Sequence, residues 1–88
     1  MDAGVEKIEQ FFREDGTLIS IPAKSSKRLA VLYRIAGQFA AGTKYSEREL
    51  NEIIARFHDD TAAIRRYMIE NRIMERDRES VYWLADRN

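Results

Sequence analysis

Between Ser46 and Trp83 the chain changes its hydrophobic period twice, with only a few residues free at each change. Leu50, Ile53, Ile54 and Phe57 recur at helical spacing. The polar stretch His58, Asp59, Asp60 interrupts them, and a second helical pattern follows over about 60–71, with Ile64, Met68 and Ile69 on its apolar side. Then IMERDRESVYW reads as two short strands around a charged turn, a hairpin over 73–84. Two short helices joined by a tight turn form a helix-turn-helix unit. A hairpin directly behind its second helix makes that unit a winged helix.

Local signals support these boundaries. Ser46 followed by Glu49 matches a capping box, in which each residue satisfies the other's backbone N–H. Asp59 or Asp60 is placed to cap the next helix and to favour its positive end. Upstream, Leu29, Leu32, Ile35, Ala36 and Phe39 form the buried stripe of another helix, with Ser25 or Ser26 as its cap and Gly42 at its C-terminal glycine position. Before it, Val5, Ile8, Phe11 and Phe12 predict an amphipathic helix of about three turns, which Asp15-Gly16 stops. TLISIP, residues 17–22, predicts a short strand that Pro22 ends or places at a sheet edge. The expectation is one α+β domain over 1–88, mainly α with a small β-hairpin. Its N-terminal helix and strand occupy 1–24, and its helix, helix-turn-helix and β-wing occupy 25–84.

A chain of 88 residues has room for one domain with a modest core. Cysteine is absent, which excludes disulfides and thiolate metal sites. No apolar run approaches the roughly 20 residues of a membrane span, and MDAGVEKIEQ has no signal-peptide core. A cytoplasmic protein without membrane contact or cofactor is expected. With 15 basic and 15 acidic side chains the net charge is zero, which argues against a dedicated nucleic-acid binder. The distribution argues the other way. Residues 1–20 carry Asp2, Glu6, Glu9, Glu14 and Asp15 against Lys7 and Arg13, a net of −3. Residues 61–78 carry Arg65, Arg66, Arg72, Arg76 and Arg78 against Glu70, Glu75 and Asp77, a net of +2.

The adjacent arginines face differently. At about 100° per residue, Arg65 falls inside the arc from Ile64 to Ile69, whereas Arg66 falls opposite it with Ala62 and Glu70. Arg65 is therefore expected at the core rim, paired with Asp59, Asp60 or Glu49. Arg66, with Tyr67 and Thr61, is the candidate for reaching DNA. Arg76 and Arg78 of the wing are candidates for backbone contacts, although Asp77 and Glu79 alternate with them and a solvated salt-bridge turn competes. Lys24, Lys27 and Arg28 form a second basic cluster, with Lys27 the candidate contact; a solvated helix face is the plainer reading. His58, Asp59 and Asp60 are consecutive and cannot all address one ion, so a capping turn is expected and no metal site. No nucleophile and base pair stands out, so no enzyme is expected. Strand alternation puts Tyr82 and Trp83 on opposite faces, and Trp83 is the expected core residue, against Phe57 or Met68.

The sequence resembles a family of uncharacterised bacterial domains, some joined to or encoded near ArsR-type winged-helix regulators. The resemblance spans about residues 10–84. It runs through GTLISIPAK (Gly16, Leu18, Ile21, Pro22, Ala23, Lys24), then Tyr45, Glu47, Glu49, Asn51, Phe57, Asp59, Asp60, Arg65 and Arg66, and ends with Arg76, Tyr82 and Trp83. One departure is the turn DRES, where the family pattern has a glycine. The resemblance implies a winged-helix-like fold and a role in transcription, with no activity attached. The expected function is a DNA-binding transcriptional regulator domain, with helix 60–71 in the major groove of double-stranded DNA and the wing on the backbone. A homodimer through the N-terminal helix, with Phe11 and Phe12, is the expected assembly. The alternative is a protein–protein interaction module on the same scaffold, which zero net charge favours.

Overall fold

The computed structural model describes residues 8–85. Among them lie three helices, α1 (Ser25–Ala36), α2 (Glu47–Ala55) and α3 (Thr61–Glu70), and three strands, β1 (Tyr45–Ser46), β2 (Met74–Arg76) and β3 (Val81–Leu84). The strands form one antiparallel sheet of order β1-β3-β2. Helix-turn-helix followed by hairpin gives an α+β, winged-helix-like domain. β1 was not expected from the sequence: two residues are too short to show a period, and only pairing with β3 defines them (Tyr45 with Tyr82, Ser46 with Val81).

Local hydrogen bonds set most boundaries after β1. Ser46 Oγ accepts from the Glu49 N–H (3.1 Å), and the Glu49 carboxylate accepts from the Ser46 N–H (2.8 Å). Asp60, not Asp59, caps α3 by accepting from the Ala63 N–H at 3.1 Å. The C-terminus of α3 closes in a Schellman arrangement. The Ile73 N–H donates to the Met68 carbonyl (2.9 Å) and the Arg72 N–H to the Ile69 carbonyl (3.1 Å). Arg72 itself takes φ 58°, the left-handed position usually given to glycine. In the hairpin turn one Asp77 carboxylate oxygen accepts from the N–H groups of Glu79 (2.8 Å) and Val81 (3.1 Å). Ser80 takes φ 61° there. An aspartate turn and a left-handed serine thus close a hairpin for which the family resemblance implies glycine.

The core joins Val31, Leu32 and Ile35 of α1, Leu50 and Ile54 of α2, Ile64 and Met68 of α3, and Ile73, Met74 and Tyr82 of the hairpin. The wing packs by parity. Register pairs Met74 with Leu84 and Arg76 with Tyr82, so Tyr82 shares the face of buried Met74. This corrects the expectation for Trp83. Tyr82 is 1% exposed, and Trp83 lies half-buried on the other face, with Lys44 Nζ 5.0 Å from its ring centroid.

Four other expectations change. Among the described residues the N-terminal helix is a single 3-10 turn, Glu9–Phe11, while Val5 lies outside them. The strand over 17–22 is reduced to one bridge, Phe12 with Leu18. Neither Ser25 nor Ser26 caps α1; Lys24 precedes it in extended conformation without a side-chain cap. The helix ends at Ala36, because the next turn tightens to three-residue hydrogen bonds (Gln38 to Ile35, Phe39 to Ala36). That turn still delivers Phe39 to the core. Gly42 serves the following loop instead, at φ 80°.

Candidate functional site

α3 is bordered on one side by the hairpin and on the other by the start of α1. Between α3 and the hairpin runs a groove of about 310 Å³ whose lining includes Ala62, Arg65, Arg66 and Glu70 of α3, Arg76 of β2 and Tyr82 of β3. Two polar ties from α2 hold its walls. Arg65, half-buried, donates from Nη1 to Asn51 Oδ1 at 2.5 Å. The Tyr82 phenol donates to Glu47 Oε1 at 2.9 Å. Burial pushes the Tyr82 phenol above its ordinary pKa, and the Glu47 carboxylate pushes it further, so the phenol stays the proton donor. Glu47 and Asn51 lie one turn apart on α2 and face the hairpin and α3 respectively, fixing where the wing stands against the helix.

The carboxylate expected for Arg65 is therefore replaced by a neutral amide. The reason is local. Glu49 is engaged in the capping box and Asp60 caps α3, which leaves Asn51 to face the guanidinium. Arg66 is exposed, with Nε 4.0 Å from the Glu70 carboxylate, a surface contact worth little in itself. Arg76 lies with its guanidinium 5.6 Å from the Tyr82 ring centroid and donates to the Asp77 carbonyl (3.3 Å) and Ser80 Oγ (3.4 Å). The structure thus brings Arg65, Arg66 and Arg76 together.

The other sequence candidates lie elsewhere. Tyr67 is half-buried, with the Arg28 guanidinium 4.6 Å above its ring and that of Arg66 at 5.8 Å. Arg28 also donates to the carbonyls of Ala23 (3.0 Å) and Pro22 (3.4 Å), so it ties the loop before α1 to α3. Lys27, half-buried, belongs to α1 and does not line the groove. Thr61 lines a separate shallow surface on the α2 side, with Glu47, Arg48 and Asn51. Arg78 is exposed at the hairpin tip, and Asp59 is exposed before α3. His58 Nδ1 accepts from the Asp60 N–H at 3.0 Å. Among the described residues no group of three or more His, Cys, Asp or Glu is placed to hold a metal ion, and no helix is long and apolar enough to cross a membrane.

Sequence reasoning missed the tie of Glu47 to Tyr82 and of Asn51 to Arg65. The signal available was the spacing of Glu47 and Asn51, four apart and so on one helix face. Their partners come from 35 and 14 residues away, which spacing along a helix cannot supply.

A family model described as "Uncharacterized protein conserved in bacteria (DUF2087)" matches residues 17–84. No curated protein and no solved structure matches the chain.

Proposed function

The chain belongs to this bacterial family, and we propose that it works as a winged-helix DNA-binding domain of the kind that regulates transcription. The observation that supports this most is the groove in which arginines of two elements converge: Arg65 and Arg66 from α3, Arg76 from the hairpin. In this reading α3 enters the major groove, where exposed Arg66 reaches a base edge or a phosphate. The hairpin contacts the backbone through Arg76 and Arg78. Ala62 keeps the exposed side of α3 low, so a duplex can come close. Glu70 beside Arg66 opposes phosphate, and the chain as a whole carries no net charge. Affinity is then modest and falls steeply with salt.

A titration of backbone amide NMR signals with mixed-sequence duplex DNA, at low and physiological salt, tests the reading. Salt-sensitive shifts over 60–71 and 74–82 are expected. No shifts at low salt would overturn it. One observation favours a second reading, a protein-interaction module. An apolar groove of about 540 Å³ lies between the end of α1 and the base of the hairpin, with Tyr33, Gly37, Gly42, Ile73 and Leu84 in its lining. DNA silence in the titration would turn attention to that face. We propose no enzymatic activity for either groove.

A further inference from the structure

We propose that the groove between α3 and the hairpin is a seat for one phosphate group, gripped by Arg65 and Arg76 with exposed Arg66 beside them. The inference rests on the DNA-binding reading and narrows it: the groove takes a backbone phosphate, and base reading is left to residues farther out on α3.

Three observations carry it. The first is charge. Arg65 is half-buried and bonded to a neutral amide, Asn51 Oδ1, so its positive charge is not cancelled where it sits. Arg76 rests on the Tyr82 ring and on weak contacts to the Asp77 carbonyl and Ser80 Oγ. Two carboxylates stand nearby: Glu47 accepts from the Tyr82 phenol, and Glu70, in the groove lining beside Arg66, offsets part of the charge that the three arginines bring. The second is unused hydrogen-bonding capacity. A guanidinium presents five donors in a planar fork that matches phosphate oxygens, and among the described residues Arg65 makes one side-chain hydrogen bond. The third is placement. Asn51 holds the Arg65 guanidinium toward α2, recessed behind Arg66. A recessed guanidinium cannot follow a base edge into the major groove, whereas a phosphate standing out from a duplex can come to it. The groove, about 310 Å³ and open, admits a phosphate with its ester chains. The aromatic face of Tyr82 walls it, because the phenol oxygen already serves Glu47.

A small phosphorylated molecule offers the same chemistry, and the test separates the two sources. NMR spectra of the labelled full chain, including the arginine Nε–H signals, are recorded against inorganic phosphate, with sodium chloride at equal ionic strength as reference, and against mixed-sequence duplex DNA. The expected result is movement of the Arg65 and Arg76 Nε–H signals with both ligands. Arg76→Gln, at an exposed position, is then expected to raise the DNA Kd about tenfold at low salt and to flatten the salt slope by about 1. Arg65→Lys keeps the charge and loses the fork, so it weakens phosphate more than a charge count predicts. Thermal melts establish that each variant is folded. Shifts of α3 and hairpin amides with DNA, while both arginine signals and the Arg76→Gln salt slope stay put, would overturn the seat and leave DNA binding standing. Arginine shifts with phosphate and none with DNA would keep the seat for a small phosphorylated ligand and overturn the DNA reading. Silence in both arms overturns both.

Discussion

Ahead of α1 the chain forms irregular local turns tied to the core by one distant backbone bond, whereas from β1 onward local caps and turns bound regular helices and strands. The Leu18 N–H donates to the Phe57 carbonyl at 2.7 Å, the Ile19 N–H to the Phe11 carbonyl at 2.8 Å, and the Arg13 guanidinium to the Leu18 carbonyl at 2.9 Å. In the later region Ser46 with Glu49, Asp60 with Ala63, and Asp77 with Glu79 and Val81 are all neighbours in sequence. Both regions reach the same core: Ile8 and Leu18 from the first, Leu50, Ile64 and Tyr82 from the second. Burial and backbone form are thus set by different causes. An apolar side chain goes inside in either region, and the helix or strand around it depends on where its backbone partners lie.

The largest effect tests whether the early segment is part of the cooperative unit. Leu18 is 2% exposed and its N–H is bonded to the turn after α2. Leu18→Ala is expected to cost about 3 kcal/mol, the middle of the range for a buried leucine. Urea unfolding followed by circular dichroism measures it. A loss below about 1 kcal/mol would mean that the segment lies on a core complete without it.

The same contrast explains what the sequence makes legible. The capping box at Ser46, the cap at Asp60, the hairpin and the stripes of α2 and α3 all follow from neighbours a few residues apart, and the structure contains each. The spacing of Ile8, Phe11 and Phe12 correctly marks apolar contact and incorrectly extends it to a helix of several turns among the described residues. Short strands fail for the same reason, since Phe12 pairs with Leu18 in a single bridge and β1 exists only through β3. At the site, helical geometry is enough to separate Arg65 from Arg66. It cannot choose Asn51 over a carboxylate, because that depends on which acidic groups are already engaged. Nor can it choose Tyr82 over Trp83, because strand parity names two faces and only the register says which one is inside.

A smaller effect sharpens the contrast within α3. Arg65→Ala removes the hydrogen bond to Asn51 and the half-buried stem, and a loss of about 1–2 kcal/mol is expected. Arg66→Ala removes an exposed side chain 4.0 Å from Glu70, and its stability is expected within about 0.5 kcal/mol of the parent. Thermal melts of the two variants decide the matter. Equal losses would contradict the assignment of one arginine to the α2 tie and the other to the surface.

Arg72 offers an effect of opposite sign. Its φ of 58° costs a side-chain-bearing residue about 1–2 kcal/mol, partly offset because glycine loses more chain entropy on folding. Arg72→Gly is therefore expected to raise stability by up to about 1 kcal/mol, seen as a higher melting temperature. A lower one would show that the Arg72 side chain contributes more to the end of α3 than its backbone strain takes away.

The smallest effect places the two regions side by side. Asp15 and Asp77 do the same local work, one in each region. The hydroxyl and N–H of Thr17 hold the Asp15 carboxyl below the ordinary aspartate value. The N–H groups of Val81 and Glu79 do so for Asp77. In each case folding favours the charged form, so the stabilisation is present above the unfolded value of about 3.9 and is lost as pH falls through the lower folded value. Asp15 is exposed and Asp77 half-buried, and each contributes a modest share of the acid slope. Melting temperatures between about pH 5 and pH 2 are expected to fall less steeply in Asp15→Asn and in Asp77→Asn, by similar amounts, because asparagine keeps the turn acceptor without the titration. Equal slopes follow only if the early segment melts with the rest, as its bond from Leu18 to Phe57 requires. Were Asp77→Asn alone to flatten the curve, the early segment would be opening before the core, and the Leu18–Phe57 bond that ties it down would be the first to break.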